Sequence, residues 1–327
     1  MTSTSTPTQI AVFGATGGCA GTATAHALKA GYKVTALART PSKLRAFLET
    51  QHTVPAATLD SNLTIVEGAI QDAPAVLATL TPAPSTILFG IGAIPKLAAN
   101  RHLLKLDDPH ICSNGIEAVL AALRTQQAAD PSTPRPFIAV ISTTGLSARR
   151  DVPLLLYPLY HVFLAEPHVD KRAMEAAVAR ASVAPDSLVR GFVVLRPTLL
   201  TDGRGVGTAK VRAGWERHPD APGAAEGEDP TPPAMGYAIS RADVGAWIWE
   251  EVLRDQGQKW AGNHRAEMGD LLDIPNGEAR IANSITHFSH LELPLQLSKQ
   301  SYRGIEAVVS LTNAQKPLIW RNVETKD

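Results

Sequence analysis

The sequence is short of cysteine, aromatic residues and net charge, and each shortage removes a class of explanation. Its 327 residues include only Cys19 and Cys112. That excludes a disulfide framework and fits a reducing compartment. Aromatics make up 5%, and Lys+Arg balance Asp+Glu at 31 each. No global field draws the chain to nucleic acid or to an anionic membrane. No apolar run approaches the length that spans a bilayer. The opening MTSTSTPT has no apolar core of the secretory kind, so residues 1–8 are expected as a flexible tail and the protein as cytoplasmic. H-E-x-x-H and Cys/His pairs at ligand spacing are missing, which speaks against a metal centre. There is no G-x-S-x-G elbow for acyl transfer.

What remains is a chain with 44% hydrophobic and 19% charged residues, ordinary for a soluble globular protein with a sizeable core. Strand-like and helix-like patterns alternate through the first 200 residues. Apolar runs at 10–13, 32–38, 63–66, 86–90, 137–141 and 192–195 suit buried strands. Helical patterns fall at 22–30, 72–80, 109–127 and 169–181; in the third, Ile116, Val119, Leu120 and Leu123 share a face. This alternation predicts an α/β protein with a doubly wound parallel sheet over residues 9–200. Residues 201–327 are expected to supply a lid loop and a small substrate-binding part. Within them, 219–233 (PDAPGAAEGEDPTPP) read as a mobile loop. Ser240 and Asp243 form a capping box before an apolar helix at 244–253, which makes Asp243 structural. Residues 256–327 carry no interpretable motif.

The first strand opens into Gly14-Ala15-Thr16-Gly17-Gly18-Cys19-Ala20. Gly14 and Gly17 permit a tight turn and close approach of backbone N–H groups to a ligand. A helix N-terminus after such a turn is ready for phosphate. Cys19, near that terminus, could have a lowered thiol pKa, but it reads rather as a small residue in a tight turn. The spacing is G-x-x-G-x-x-A. It resembles the glycine motif of atypical short-chain dehydrogenase/reductases, in the NmrA-like and isoflavone-reductase-like branch. That motif usually ends in glycine; here Ala20 is small enough for the same helix–strand packing. The resemblance implies a Rossmann-type fold binding NADP(H), with Gly14, Thr16, Gly17, Gly18 and Cys19 on the cofactor. Many members of the family reduce phenolic or polyketide-like small molecules, so a small organic substrate of secondary metabolism is expected, in a monomer or homodimer.

In NAD-binding folds an acidic residue at the end of the second strand binds the ribose hydroxyls. Here Arg39 occupies that place with Lys43 behind it, and no carboxylate appears between Gly31 and Leu48. A guanidinium and an ammonium suit the 2′-phosphate of NADP.

His168-Val169-Asp170-Lys171-Arg172-Ala173-Met174-Glu175 is similar to the H-x-D-K-x-x-x-E helix of the NmrA-like branch. Lys171 matches the family lysine that binds the nicotinamide ribose. Pro167 stands where the usual Y-x-x-x-K tyrosine would be. His168 shares a helical face with Lys171, and histidine can donate or accept a proton near neutral pH, so it is a candidate proton donor. Tyr157, Tyr160, Ser142 and water are the alternatives. Arg196-Pro197 resembles the pair whose backbone faces the nicotinamide amide, and Gly90-Ile91-Gly92 the turn beneath the cofactor ribose. Ser142 and Thr143 end a strand where a hydroxyl often faces the reactive carbon. The expected function is an NADPH-dependent oxidoreductase. The alternatives are a non-redox isomerase or rearrangement catalyst holding NADP, and an NADP-sensing regulator with a protein partner.

Overall fold

The computed structural model describes residues 9–93, 95–97, 104–147, 151–154, 165–183, 187–217, 236–260 and 264–270. Strand β1 (Gln9–Phe13) leads into helix α1 (Gly18–Lys29) and returns as β2 (Lys33–Ala38). Gly31 ends α1 at φ +86°, a left-handed turn that brings the Tyr32 N–H back to the carbonyl of Ala27 at 3.0 Å. Helix α2 (Pro41–Thr50), with proline in its first turn, and α3 (Ala56–Asn62) precede β3 (Leu63–Glu67). Asp72 caps α4 (Ala73–Thr79) through the Ala75 N–H. Then come β4 (Thr86–Phe89), an antiparallel pair β5 (Pro95–Leu97) and β6 (Leu104–Leu106), and α5 (Ile111–Ala129). Strand β7 (Phe137–Ile141), α6 (Ala165–Ala181) and β8 (Gly191–Pro197) complete the alternation. Short strands β9 (Leu199–Thr201) and β11 (Ala238–Ser240) pair with each other; around them lie β10 (Val211–Arg217), α7 (Arg241–Ile248) and β12 (His264–Asp270).

Among the described residues the main sheet has eight strands, in the order β3-β2-β1-β4-β7-β8-β12-β10. All neighbours are parallel except β10 and β12. Because side chains alternate across a strand, each central strand feeds two cores. Ile10 and Val12 of β1, with Phe137, Ala139 and Ile141 of β7, pack on the face that also holds α1, α2 and Trp247 of α7. Ala11 and Phe13, with Ile138 and Val140, pack on the opposite face against Ile116 of α5 and Met174 and Val178 of α6. This is the doubly wound Rossmann-type arrangement the alternation predicts. The chain leaves β1 toward one flank of the sheet and reaches β4 on the other, so a crevice opens beyond their carboxyl ends.

Several boundaries differ from expectation. Helix α1 begins at Gly18, not residue 22, because the small residues serve helix packing as well as the turn. A Cβ on Gly21 would lie 2.4 Å from the Phe47 ring and 2.8 Å from the Ala15 carbonyl oxygen. Helix α6 begins at Ala165 with Pro167 in its first turn, where a missing N–H costs nothing. The expected helix at 244–253 is α7 followed by a π-turn at Trp249–Leu253. After residue 200 the pattern hid three strands among the described residues: β10 at the sheet edge, β11 beside β9, and β12 between β8 and β10, in register His264↔Val193. Residues 1–8, 219–233 and 271–327, with Tyr157 and Tyr160, lie outside the described residues. Among the described residues no helix is long and apolar enough to cross a membrane.

Candidate cofactor and active site

The carboxyl ends of β1, β2, β4, β7 and β8 converge at this crevice. At its floor, Gly14 takes φ +91°, and a Cβ there would lie 2.7 Å from the Gly90 carbonyl carbon and 2.9 Å from the Ile91 nitrogen. Only glycine lets the loop after β1 lie against the loop after β4. The Gly17 N–H closes the turn onto the Gly14 carbonyl at 2.9 Å. A Cβ on Gly17 would stand 3.2 Å from the Gly14 carbonyl oxygen. Thr16 and Gly17 are exposed, and the first N–H groups of α1 have no intrahelical acceptors. Side-chain-free backbone, outward N–H groups and the positive end of a buried helix fit a dinucleotide phosphate.

The register Phe13↔Leu37 carries Arg39 past the end of β2, beside this loop. Arg39 and Lys43 are both exposed and project from the start of α2. Of the two readings of Cys19, the small packing residue fits and the lowered thiol does not. It is buried in α1, and burial pushes its thiol up to about 12, against the lowering influence of Arg241 and Lys171. Desolvation outweighs the helix terminus, so Cys19 contributes small volume and backbone, not a reactive thiolate.

On the other wall, Lys171 extends from α6 to the strand ends. Its ammonium donates to the carbonyl of Ile141 at 2.7 Å and approaches that of Ile91 at 3.5 Å. It lies 3.9 Å from where a Gly92 side chain would begin. Lys171 thus stands beside Gly92 and the strand end that precedes Ser142, while Pro197 ends the neighbouring strand β8, its carbonyl accepting the Thr144 N–H at 3.1 Å. Helix α6 is pinned there by Asp170, whose carboxylate accepts the N–H groups of Cys112 (2.9 Å) and Ser113 (2.8 Å) at the start of α5. Burial pushes Asp170 up, but these hydrogen bonds outweigh it and hold the carboxyl below its ordinary value. Burial likewise pushes the neighbouring Cys112 thiol up to about 11.

Beneath Lys171 lies a buried polar network that the motifs did not anticipate. Arg196, 1% exposed, donates to both carboxylate oxygens of Glu175, at 3.1 and 2.6 Å, and to Ser147 Oγ at 2.5 Å. Ser142 donates its hydroxyl proton to Glu175 Oε1 at 2.6 Å. A hydroxyl has one proton; with that proton on the carboxylate, Ser142 presents acceptor lone pairs to anything else that meets it. His168, one turn before Lys171, is 6% exposed. Glu175 and the Arg196 side chain were the residues missed. The signal was present: a carboxylate one turn after Lys171 and an arginine inside an otherwise apolar strand, VVLRP. Such a residue implies a buried partner.

A separate open cleft of about 870 Å³ is walled by Trp215, Trp247 and Trp260 with Glu250 and Glu251, and no residue of the glycine loop or of the Lys171 wall lines it.

Known proteins resemble this chain over most of its length. A family model described as NAD(P)H-binding matches residues 14–255. The reductase pytE of Aspergillus terreus is 41% identical over 266 residues, covering 77% of this chain and 94% of its own. The oxidase pynE of Aspergillus niger is 38% identical over 284 residues, covering 77% and 95%. Among solved structures, ChuY, an anaerobillin reductase from Escherichia coli O157:H7, aligns with a TM-score of 0.49 at 16% identity, covering 82% of this chain and 98% of its own.

Proposed function

This chain belongs to the NAD(P)H-binding family, and on that premise we propose that it is an NADPH-dependent oxidoreductase of a small organic substrate, aromatic or polyketide-like. The observation that carries the reading is the placement of Lys171 between the carboxyl ends of β4 and β7, facing the glycine cradle. The names of the two curated relatives, a reductase and an oxidase, support the same reaction class.

The residues divide the work. The backbone of Gly14, Gly17 and Gly18 receives phosphate, and Arg39 with Lys43 selects the 2′-phosphate of NADP(H) by charge-assisted hydrogen bonds. Lys171 would hold the nicotinamide ribose, with Gly92 beside it and Pro197 toward the nicotinamide. Bound NADPH supplies a hydride to the substrate. Glu175 and Arg196 keep Ser142 oriented as an acceptor, so Ser142 positions a substrate O–H or N–H rather than protonating a carbonyl. That leaves His168 as the candidate donor among the described residues, with Tyr160 and Tyr157 outside them.

The test is NADPH consumption by the purified protein across a panel of aromatic ketones and quinones, followed at the nicotinamide absorbance. Substrate-dependent loss of the reduced band is expected. His168→Ala should lower turnover by a factor of about 10²–10⁴, the range for a lost general acid, and leave NADPH affinity unchanged.

A second reading draws on Pro167 at the position of the usual tyrosine. In it NADP is a structural ligand and the pocket isomerises or rearranges its substrate. Conversion of substrate with oxidised NADP and no net absorbance change would establish it in place of the first.

A further inference from the structure

Helix α7 starts on top of the glycine loop. Gly245 lets it approach: a Cβ there would lie 2.4 Å from the Thr22 Cβ and 2.5 Å from the Cys19 carbonyl oxygen. One turn earlier, Arg241 lies flat over the first residue of α1. A Cβ on Gly18 would meet its Cδ at 2.5 Å, its Cβ at 3.0 Å and its Cγ at 3.3 Å. Gly18 is thus bare of side chain where the Arg241 methylenes lie. The guanidinium passes beyond it and pairs with Asp202, Nη1 to Oδ1 at 2.7 Å. Both ends of this pair are accessible, with side-chain exposures of 35% and 74%.

The pair is held from behind. Asp243 accepts the N–H groups of Val206 and Gly207 at 2.8 Å each, and the Ser240 hydroxyl at 2.8 Å. Ser240 in turn caps α7 by accepting the Asp243 N–H at 2.9 Å. The capping box therefore ties the start of α7 to the loop after Asp202. Arg241 and Asp202 face each other across a braced frame, over the N-terminus of α1. The positive charge reaches the loop: among the neighbouring charges, Arg241 acts most strongly on the Cys19 thiol.

We infer that Arg241 is the side-chain cation for the cofactor's pyrophosphate, and that Asp202 holds it in place until the pyrophosphate arrives and then competes for it. This rests on the nucleotide-binding reading above. A pyrophosphate brings two negative charges to a loop that otherwise offers only N–H dipoles, and Arg39 and Lys43 stand at the end of β2, where the 2′-phosphate lies. The assignment makes the two arginines differ in kind. Arg241 serves any nicotinamide dinucleotide; Arg39 serves only the phosphorylated one.

The experiment is titration calorimetry of NADPH, NADH and adenosine 2′-monophosphate, with thermal unfolding of each variant alongside. Arg241→Met keeps the methylenes over Gly18 and removes the charge. It should weaken NADPH and NADH by the same factor, about tenfold to a hundredfold for lost charged hydrogen bonds. Adenosine 2′-monophosphate, which has no pyrophosphate, should be unaffected by Arg241→Met and weakened by Arg39→Ala. Asp202→Asn, at an exposed position, should tighten both dinucleotides by roughly two- to fivefold, the worth of a surface ion pair. Unchanged NADPH and NADH affinity in folded Arg241→Met overturns the assignment and leaves the cofactor reading standing. Unchanged affinity in Asp202→Asn overturns the competition. If the unmutated protein binds neither dinucleotide, the cofactor reading itself fails, and this inference with it.

Discussion

Arg39, Lys171 and Ser142 show how much a single side chain says before any fold is known. An arginine at the end of the second strand suits phosphate better than ribose hydroxyls, because its charge and fork match phosphate and it cannot accept a hydrogen bond, and the proposed choice of NADP(H) rests on it. Arg39→Ala should therefore weaken NADPH by about 1.5–3 kcal/mol, the range for charged hydrogen bonds, and leave NADH nearly unchanged in titration calorimetry. Equal losses for both would remove the assignment. Lys171 is bound to two strand-end carbonyls, so Lys171→Met should impair cofactor binding and turnover together; loss of turnover alone would argue for a role in proton transfer instead. Ser142 was visible as a hydroxyl at a strand end. That its proton is committed to Glu175 was not, because that bond spans 33 positions of sequence.

At the scale of elements, α6 is the part that must be placed correctly, since it carries His168, Lys171 and Glu175. Asp170 docks it on the N-terminus of α5, where two N–H groups and the helix dipole favour a carboxylate. The folded carboxyl lies below its unfolded value, so its stabilising contribution is full at neutral pH and disappears as pH falls through the depressed folded value. Asp170→Asn should cost about 1–3 kcal/mol at neutral pH, as expected when a buried charged hydrogen bond is replaced by a neutral one. It should also flatten the acid limb of stability below about pH 4, where an ordinary carboxyl titrates. Chemical denaturation across pH checks both. An unaltered acid limb would mean that Asp170 is not the linked group.

For the whole molecule, the expected consequence is linkage between cofactor and stability. The cradle is built from β1, α1, β4 and α7, elements of one sheet and its covering layer, so a ligand there binds the folded state alone. NADPH at 100 times its dissociation constant should raise unfolding free energy by about 2.7 kcal/mol. A thermal shift that grows with the logarithm of NADPH concentration is the corresponding observation; no shift at high NADPH would mean that the folded protein does not bind it.

Composition and local pattern were sufficient for the fold class, the glycine turn, the basic end of β2 and the Lys171 helix. The fold class came from alternation over roughly two hundred residues, and the other three are each written within about thirty consecutive ones, in patterns that need no distant partner to be recognised. The capping box at Ser240 was legible for the same reason. Its further use, in which Asp243 clamps the loop after Asp202, was not. Strand β12, HRAEMGD, has no strand-like apolar pattern; its pairing with β8 and β10 makes it a strand. Glu175 and Arg196 stand 21 positions apart, and Arg241 lies more than two hundred residues beyond the Gly18 it covers. Burial of charge and meetings of distant chain segments depend on how the layers stack, and only the tertiary structure decides that.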